Sequence, residues 1–289
     1  MMKCVDPGIN YNSWRKVARI LLEENIPPSE VVWLNEIGLF SEESQNKKVP
    51  IYRVKVPSAF VKLAENVSCH CDTSRWALMY RILWRIVCDG ERNLLSIACD
   101  EDVAKARSWE KNVCREVHKM HAFVRFKLID TPVETGRERY AAWFEPDHFI
   151  IEKATPFFKK RFANMDWSIF TPKGCAHWDG TNLVFSHGIS NNPVECPDAL
   201  EAAWLVYYRS IFNPARLKVK AMQTEMPKRY WKNLPEADLI EELVRESKGR
   251  VTKMLEEEPR PVKLQPKNAY LDSLRNLTAE VNKIPREDV

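Results

Sequence analysis

The chain has 289 residues, 45% of them apolar and 29% charged, the make-up of an ordinary globular protein, so wholesale disorder is excluded. No apolar run reaches the roughly 18 residues of a membrane-spanning helix, and the opening MMKCVDPGIN lacks the basic-then-apolar pattern of a secretory signal, so a cytoplasmic protein without a membrane partner is expected. Glycine occurs 8 times and forms no GxGxxG or GxxxxGK[ST] loop, which excludes the nucleotide-binding folds built on those motifs.

Asn12 or Ser13 is placed to cap a first helix carrying Trp14, Val17, Ile20 and Leu21 at helical spacing, stopped by Pro27–Pro28. Val31–Leu34 reads as a short strand, 41–49 as a polar loop, and Ile51–Val56 as a second strand. Pro57–Ser58 opens a helix to about Asn66, and Arg75–Val87 forms a strongly amphipathic one ended by Asp89–Gly90. Asp100 or Asp102 opens a long helix to about Met120. The period then changes to two. Ala122–Leu128 and Arg139–Phe144 read as an antiparallel pair, followed by a helix from about Asp147 to Asn164, with a restart at Pro156. Trp167–Phe170, Gly174–Trp178 and Leu183–Phe185 form a predicted meander with Asp179–Gly180 as its hairpin turn. Helices are expected from Asp198 to Phe212, from Pro214 and from Pro227. Beyond Pro235 come a charged helix, a linker punctuated by Pro259, Pro261 and Pro266, and a short helix from Asp272.

The fold class is therefore α+β: a helix-rich single domain over residues 1–237 with small antiparallel β elements, then a helical and linker tail over 238–289.

Charge is unevenly placed. The net charge is only +4, yet residues 205–233 hold seven basic side chains against the single acid Glu225. From Glu236 to Glu258 the balance reverses, with eight acids against four bases. The basic stretch interleaves Arg209, Arg216, Lys218, Lys220, Lys228, Arg229 and Lys232 with Tyr207, Tyr208, Phe212, Tyr230 and Trp231. Cations neutralise phosphates and aromatic faces stack on unpaired bases, so this stretch reads as a nucleic-acid-binding segment. The alternative is a solvated basic surface over aromatics that belong to the core.

Two other chemistries are open to the residue types present. Cys69-His70-Cys71 is a tight cluster, and Cys114, His118 and His121 share a helix face, with Cys175 and His177 as further donors. No CxxC pair exists and the spacings match no zinc fold, so no metal and no cofactor is expected, and the eight cysteines read as reduced thiols. For acid–base work, His118, Glu145, His148, His177 and Asp179 lie at the ends of elements, where a scaffold aims functional groups. Capping by Asp147 and turn formation by Asp179 are the plainer accounts of those two carboxylates.

The stretches VPSAFVKLAENVSCH, YRILWRI, VHKMHAFVRF, YAAWFEPDH, PFFKKRFANMDWSIFTP, AHWDG and YYRSIFNPARLKVKAMQTEMPKRYWKNLPEA cover most of residues 11–237. Through them the chain resembles a bacterial domain family of unknown function labelled as DNA-metabolism proteins. Its members are encoded beside a radical-SAM DNA-repair protein or fused in front of a uracil-DNA glycosylase domain. The resemblance points to His118, Lys119, Arg125, Glu145, His148, Arg161, His177, Asp179, Arg216 and Lys218, and supplies a context without a reaction. Residues 270–289 resemble the lead-in to the glycosylase, but no cysteine follows Cys196, so uracil excision by this chain alone is not expected. The resemblance thus implies a DNA-binding accessory of base repair whose partner is DNA together with a radical-SAM protein or a uracil-DNA glycosylase. The alternatives are an enzyme acting on damaged DNA or a nucleotide through a pocket of His118, Glu145, His148 and Asp179, and a module that docks the radical-SAM partner.

Overall fold

The computed structural model describes residues 2–34, 55–132, 136–193, 218–234 and 236–256, with Leu205, Arg209 and Asn213 between them. The expected strand at Ile51–Val56, the helix from Asp198, the start of the helix expected from Pro214, and the Pro-rich linker with its last helix lie wholly or mostly outside these residues.

Asn10 caps the first helix, one turn earlier than the sequence suggested: its Oδ1 accepts the Ser13 N–H at 3.1 Å, and α1 runs Tyr11–Glu23. Val31–Trp33 (β2) pairs in parallel with Lys3–Val5 (β1), a three-residue strand too short to carry a pattern. Helix α2 (Ser58–Val67) and α3 (Arg75–Val87) fall where their apolar spacing puts them. Asp100 caps α4 (Glu101–Phe123) through the Val103 N–H at 3.0 Å. The same carboxylate accepts from Arg85 Nη2 of α3 at 2.7 Å, and Glu91 accepts from that Nη2 at 2.8 Å and from Nε at 3.1 Å, so the end of α3 and the start of α4 are tied together. The Arg85 hydrogen bond holds the Asp100 carboxyl below its ordinary range.

Residues Ala122 and Phe123 finish α4 rather than begin a strand; β3 is Lys127–Asp130, antiparallel to β4 (Arg139–Trp143) as expected. The next helix, α5, starts at Ile151, after a loop that contains Asp147, and passes unbroken through Pro156 to Arg161. Proline cannot donate to the carbonyl four residues back, and here the Thr155 hydroxyl donates to that Glu152 carbonyl at 3.3 Å instead. Strands β5 (Asp166–Phe170), β6 (Cys175–Trp178) and β7 (Leu183–Ser186) form the predicted antiparallel meander. Gly180, at φ 87°, supplies the left-handed position in the β6–β7 turn. The hairpin and the meander are one sheet, not two: β4 pairs in parallel with β5, giving the order β3-β4-β5-β6-β7. Helix α6 (Val219–Glu225), a 3-10 turn over Lys228–Asn233 and α7 (Ala237–Glu256) complete the described chain. The α+β class expected from the sequence is the one observed.

Two apolar cores share α4. Its first half contributes Val103, Ala106 and Trp109 to a helical core built from α1, α2 and α3 around Trp14, Trp76 and Tyr80. Its second half contributes Val113 and Met120 to the core between the sheet and α5, with Phe144, Phe158, Trp167 and Tyr230. A helix of 23 residues is about 35 Å long, enough to span both.

Trp14 is 1% exposed, packs on Trp76 and Trp33, and its buried indole N–H finds no partner among the described residues. Trp14→Ala is expected to cost about 3–5 kcal/mol. Trp14→Phe should cost much less, because it keeps a ring and removes the orphaned donor. Urea denaturation midpoints of the two variants check this; equal losses would contradict it.

Candidate functional site

A carboxylate stands where the α4 pattern calls for an apolar residue. Val113, Glu116 and Met120 all point inward, and Glu116 is 3% exposed. Its two oxygens accept the backbone N–H groups of Asp147 at 2.8 Å and His148 at 2.7 Å, fixing the loop between β4 and α5 against α4. Arg229, at the start of the 3-10 turn, donates to the same carboxylate at 3.1 Å and pairs with Asp147. Burial raises the Glu116 carboxyl above its ordinary range, while the His148 N–H and the positive charge of Arg229 oppose the shift.

Around this anchor lies an open cleft of about 1110 Å³. One wall is a stripe of α4, with Lys111, Arg115 and His118 at positions i, i+4 and i+7. Pro146, Asp147, His148 and Lys173 form a second wall, and Thr224, Glu225, Pro227 and Arg229 a third. Five cations and three carboxylates line it in all. Lys111 is exposed and makes no hydrogen bond or ion pair among the described residues. Lys173 lies 4.5 Å from the ring centre of Phe149, which is 42% exposed beside the cleft.

At one side of the cleft, Cys71 and His148 meet. His148 Nδ1 accepts the Cys71 N–H at 3.2 Å, and His70 Nδ1 accepts the Asp72 N–H at 3.1 Å. The two imidazoles lie 4.4 Å apart, and His70 stacks on Trp109 at 4.5 Å. Burial, then the neighbouring His148, pushes His70 down to about 4; burial also lowers His148, against the pull of Glu116.

The sequence-predicted catalytic candidates separate. His118 and His148 line the cleft. Glu145 does not; its Oε1 accepts the Trp143 indole N–H at 2.9 Å. His177 and Asp179 line a different hollow of about 300 Å³ on the sheet. There His177 lies between the hydroxyls of Ser168 and Ser186, each at 2.9 Å, and Asp179 accepts the N–H groups of Thr181 and Asn182, the turn-forming role the sequence suggested. Asp147 caps no helix; α5 begins after Ile150. The other metal candidates diverge too: Cys69 donates to the Glu65 carbonyl, while His121 contacts the Ala154 carbonyl and stacks on Phe157.

The nucleic-acid candidates divide in a similar way. Lys119 and Arg229 line the cleft, Lys119 paired with Glu225 at 2.9 Å. Arg125 pairs with Glu236 and Arg209 with Glu242, at 3.2 and 2.8 Å. Trp231 is turned inward, its indole N–H donating to the Met226 carbonyl, with Lys228 against the ring. Lys218 and Lys220 are exposed and without an ion pair among the described residues, and Lys220 sits one turn before the cleft residue Thr224. Arg161 is exposed in the last turn of α5, outside the cleft lining. Arg216 lies outside the described residues, and of Lys232 only the backbone is described. Sequence reasoning missed Lys111, Arg115, Glu116 and Lys173. The i, i+4 spacing of Lys111 and Arg115, and an acid on the inward face of α4, were the signals available.

These features define an α+β protein with a cation-lined cleft closed at its base by a buried carboxylate. A family model described as a domain of unknown function, DUF4130, matches residues 73–236, more than half of the chain, and the chain belongs to that family. No curated protein and no solved structure matches it.

Glu116→Ala leaves the buried His148 N–H and the half-buried Asp147 N–H without this acceptor and should cost about 3 kcal/mol. Glu116→Gln should cost less, since its carbonyl still accepts one of them. Arg229→Ala, which removes a half-exposed guanidinium from a buried carboxylate that keeps its two N–H donors, should cost less than Glu116→Ala, about 1–2 kcal/mol. Denaturation midpoints check the ranking, and a Glu116→Ala protein as stable as the parent would refute the anchoring role.

Proposed function

We propose that the protein binds nucleic acid in this cleft, as a DNA-binding accessory in DNA metabolism. The single observation that carries the reading is the stripe of Lys111, Arg115 and His118 on α4 facing Lys173 across an open cleft. Such a lining suits a chain of phosphates, because each neutralised phosphate releases condensed counterions. The exposed ring of Phe149 beside Lys173 adds a face on which an unpaired base would stack. Lys218 and Lys220, at the start of α6, would extend the positive track along that helix. DNA as the ligand, and a radical-SAM protein or a uracil-DNA glycosylase as the partner doing the chemistry, come from the sequence resemblance. No catalytic step is assigned to this chain.

Fluorescence anisotropy of a labelled oligonucleotide, single-stranded and duplex, tests the reading. Binding should weaken steeply with salt, and Lys111→Glu with Arg115→Glu should reduce affinity by about tenfold or more and flatten the salt slope by about 2 on duplex DNA. Affinity and slope unchanged in that double variant, with the fold intact, would overturn it.

A further inference from the structure

Of the cysteine and histidine clusters in the sequence, only one closes up among the described residues. His70 and Cys71, adjacent in the chain, are joined by His148 from the loop before α5, and one donor atom from each lies within 4.8 Å of the others. We infer that His70, Cys71 and His148 form a binding site for a zinc-class divalent cation on the wall of the cleft, with a fourth coordination position open to that cleft.

The hydrogen bonding sets the donors up for this. Both Nδ1 atoms accept a backbone N–H from the Cys71–Asp72 stretch, at 3.2 Å for His148 and 3.1 Å for His70. Each neutral ring therefore carries its proton on Nε2 and holds an Nδ1 lone pair toward the segment that bears the Cys71 sulfur. A cation bound through these nitrogens displaces the two N–H···N hydrogen bonds and turns both lone pairs to the metal, and Cys71 releases its thiol proton to solvent as the metal–sulfur bond forms. The His70 ring is held between Trp109 and the His148 ring, and the backbone of His148 is pinned by its N–H on Glu116. Both rings are buried, so the site is shielded from bulk water. Two imidazoles and one thiolate are a donor set for zinc and its neighbours rather than for calcium or magnesium.

Bond lengths of 2.0–2.3 Å put the ligand atoms of a tetrahedral zinc about 3.4–3.6 Å apart. Closing the present spacing takes roughly 1 Å, within reach of the exposed Cys71 side chain. Asp72 and Glu116 on one side, and Arg75, Lys105 and Lys173 on the other, are the charges nearest the two rings. The site does not depend on nucleic-acid binding, and its test uses the metal alone.

The full chain, stripped with a chelator, is titrated with Co²⁺ and then Zn²⁺. The expected result is one equivalent bound, tetrahedral cobalt bands with a near-ultraviolet thiolate-to-cobalt charge-transfer band, and displacement by zinc. Cys71→Ser should abolish the charge-transfer band and weaken zinc binding by about tenfold or more. Cys114→Ser, a thiol on the same cleft, should change neither. His70→Asn, with its melting curve as a fold control, should reduce affinity similarly. Absence of saturable binding at about 10 μM cation, or a charge-transfer band that survives Cys71→Ser, would overturn the site.

Discussion

The arrangement of the cleft depends on one buried carboxylate. Glu116 gives its two oxygens to the N–H groups of Asp147 and His148, and a third interaction to Arg229. A carboxylate with so little solvent contact pays a large desolvation penalty, and backbone donors with a cation offset it. Three pieces of chain far apart in sequence are thereby fixed to one another: α4, the β4–α5 loop, and the turn after α6. Each supplies lining groups to the cleft, so the relative placement of these three walls follows from this contact.

Helix α4 makes that possible because it belongs to both cores. Its start is locked by Asp100 as cap and by the Arg85 pair, its first half is buried against α1–α3, and its second half against the sheet and α5. The cationic stripe of Lys111 and Arg115 sits at the junction of the two halves, on the face opposite the buried one. A groove between two packed units, over a rigid helix, is a common place for a binding site.

Much of the helical framework was legible. Arg75–Val87 is bounded as its apolar stripe and the Asp89–Gly90 stop require, and Asp179 does form the β6–β7 turn. The parallel β4–β5 pairing was not legible, since it joins segments separated by a whole helix, and β1 has only three residues. Pro156 misled because the compensating Thr155 hydroxyl bond is a tertiary-independent detail that spacing does not reveal. For the site, His118, His148, Lys119 and Arg229 were found from the sequence. The basic run over 205–233, however, does not form one free stripe: Arg209 and Arg229 each meet a carboxylate, and Tyr230 and Trp231 turn into the core. Long-range ion pairs decide which cations stay available, and composition cannot show them. The positive surface proposed for nucleic acid accordingly centres on α4 rather than on residues 205–233.

The central claim is that a phosphate chain lies in the cleft built around Glu116. Hydrogen–deuterium exchange with and without an oligonucleotide tests it most directly. The account predicts slowed exchange in three separate stretches, the second half of α4, residues 146–149 and residues 224–229, with the β6–β7 turn unchanged. Protection confined to other surfaces, or none under conditions where the oligonucleotide is bound, would contradict it.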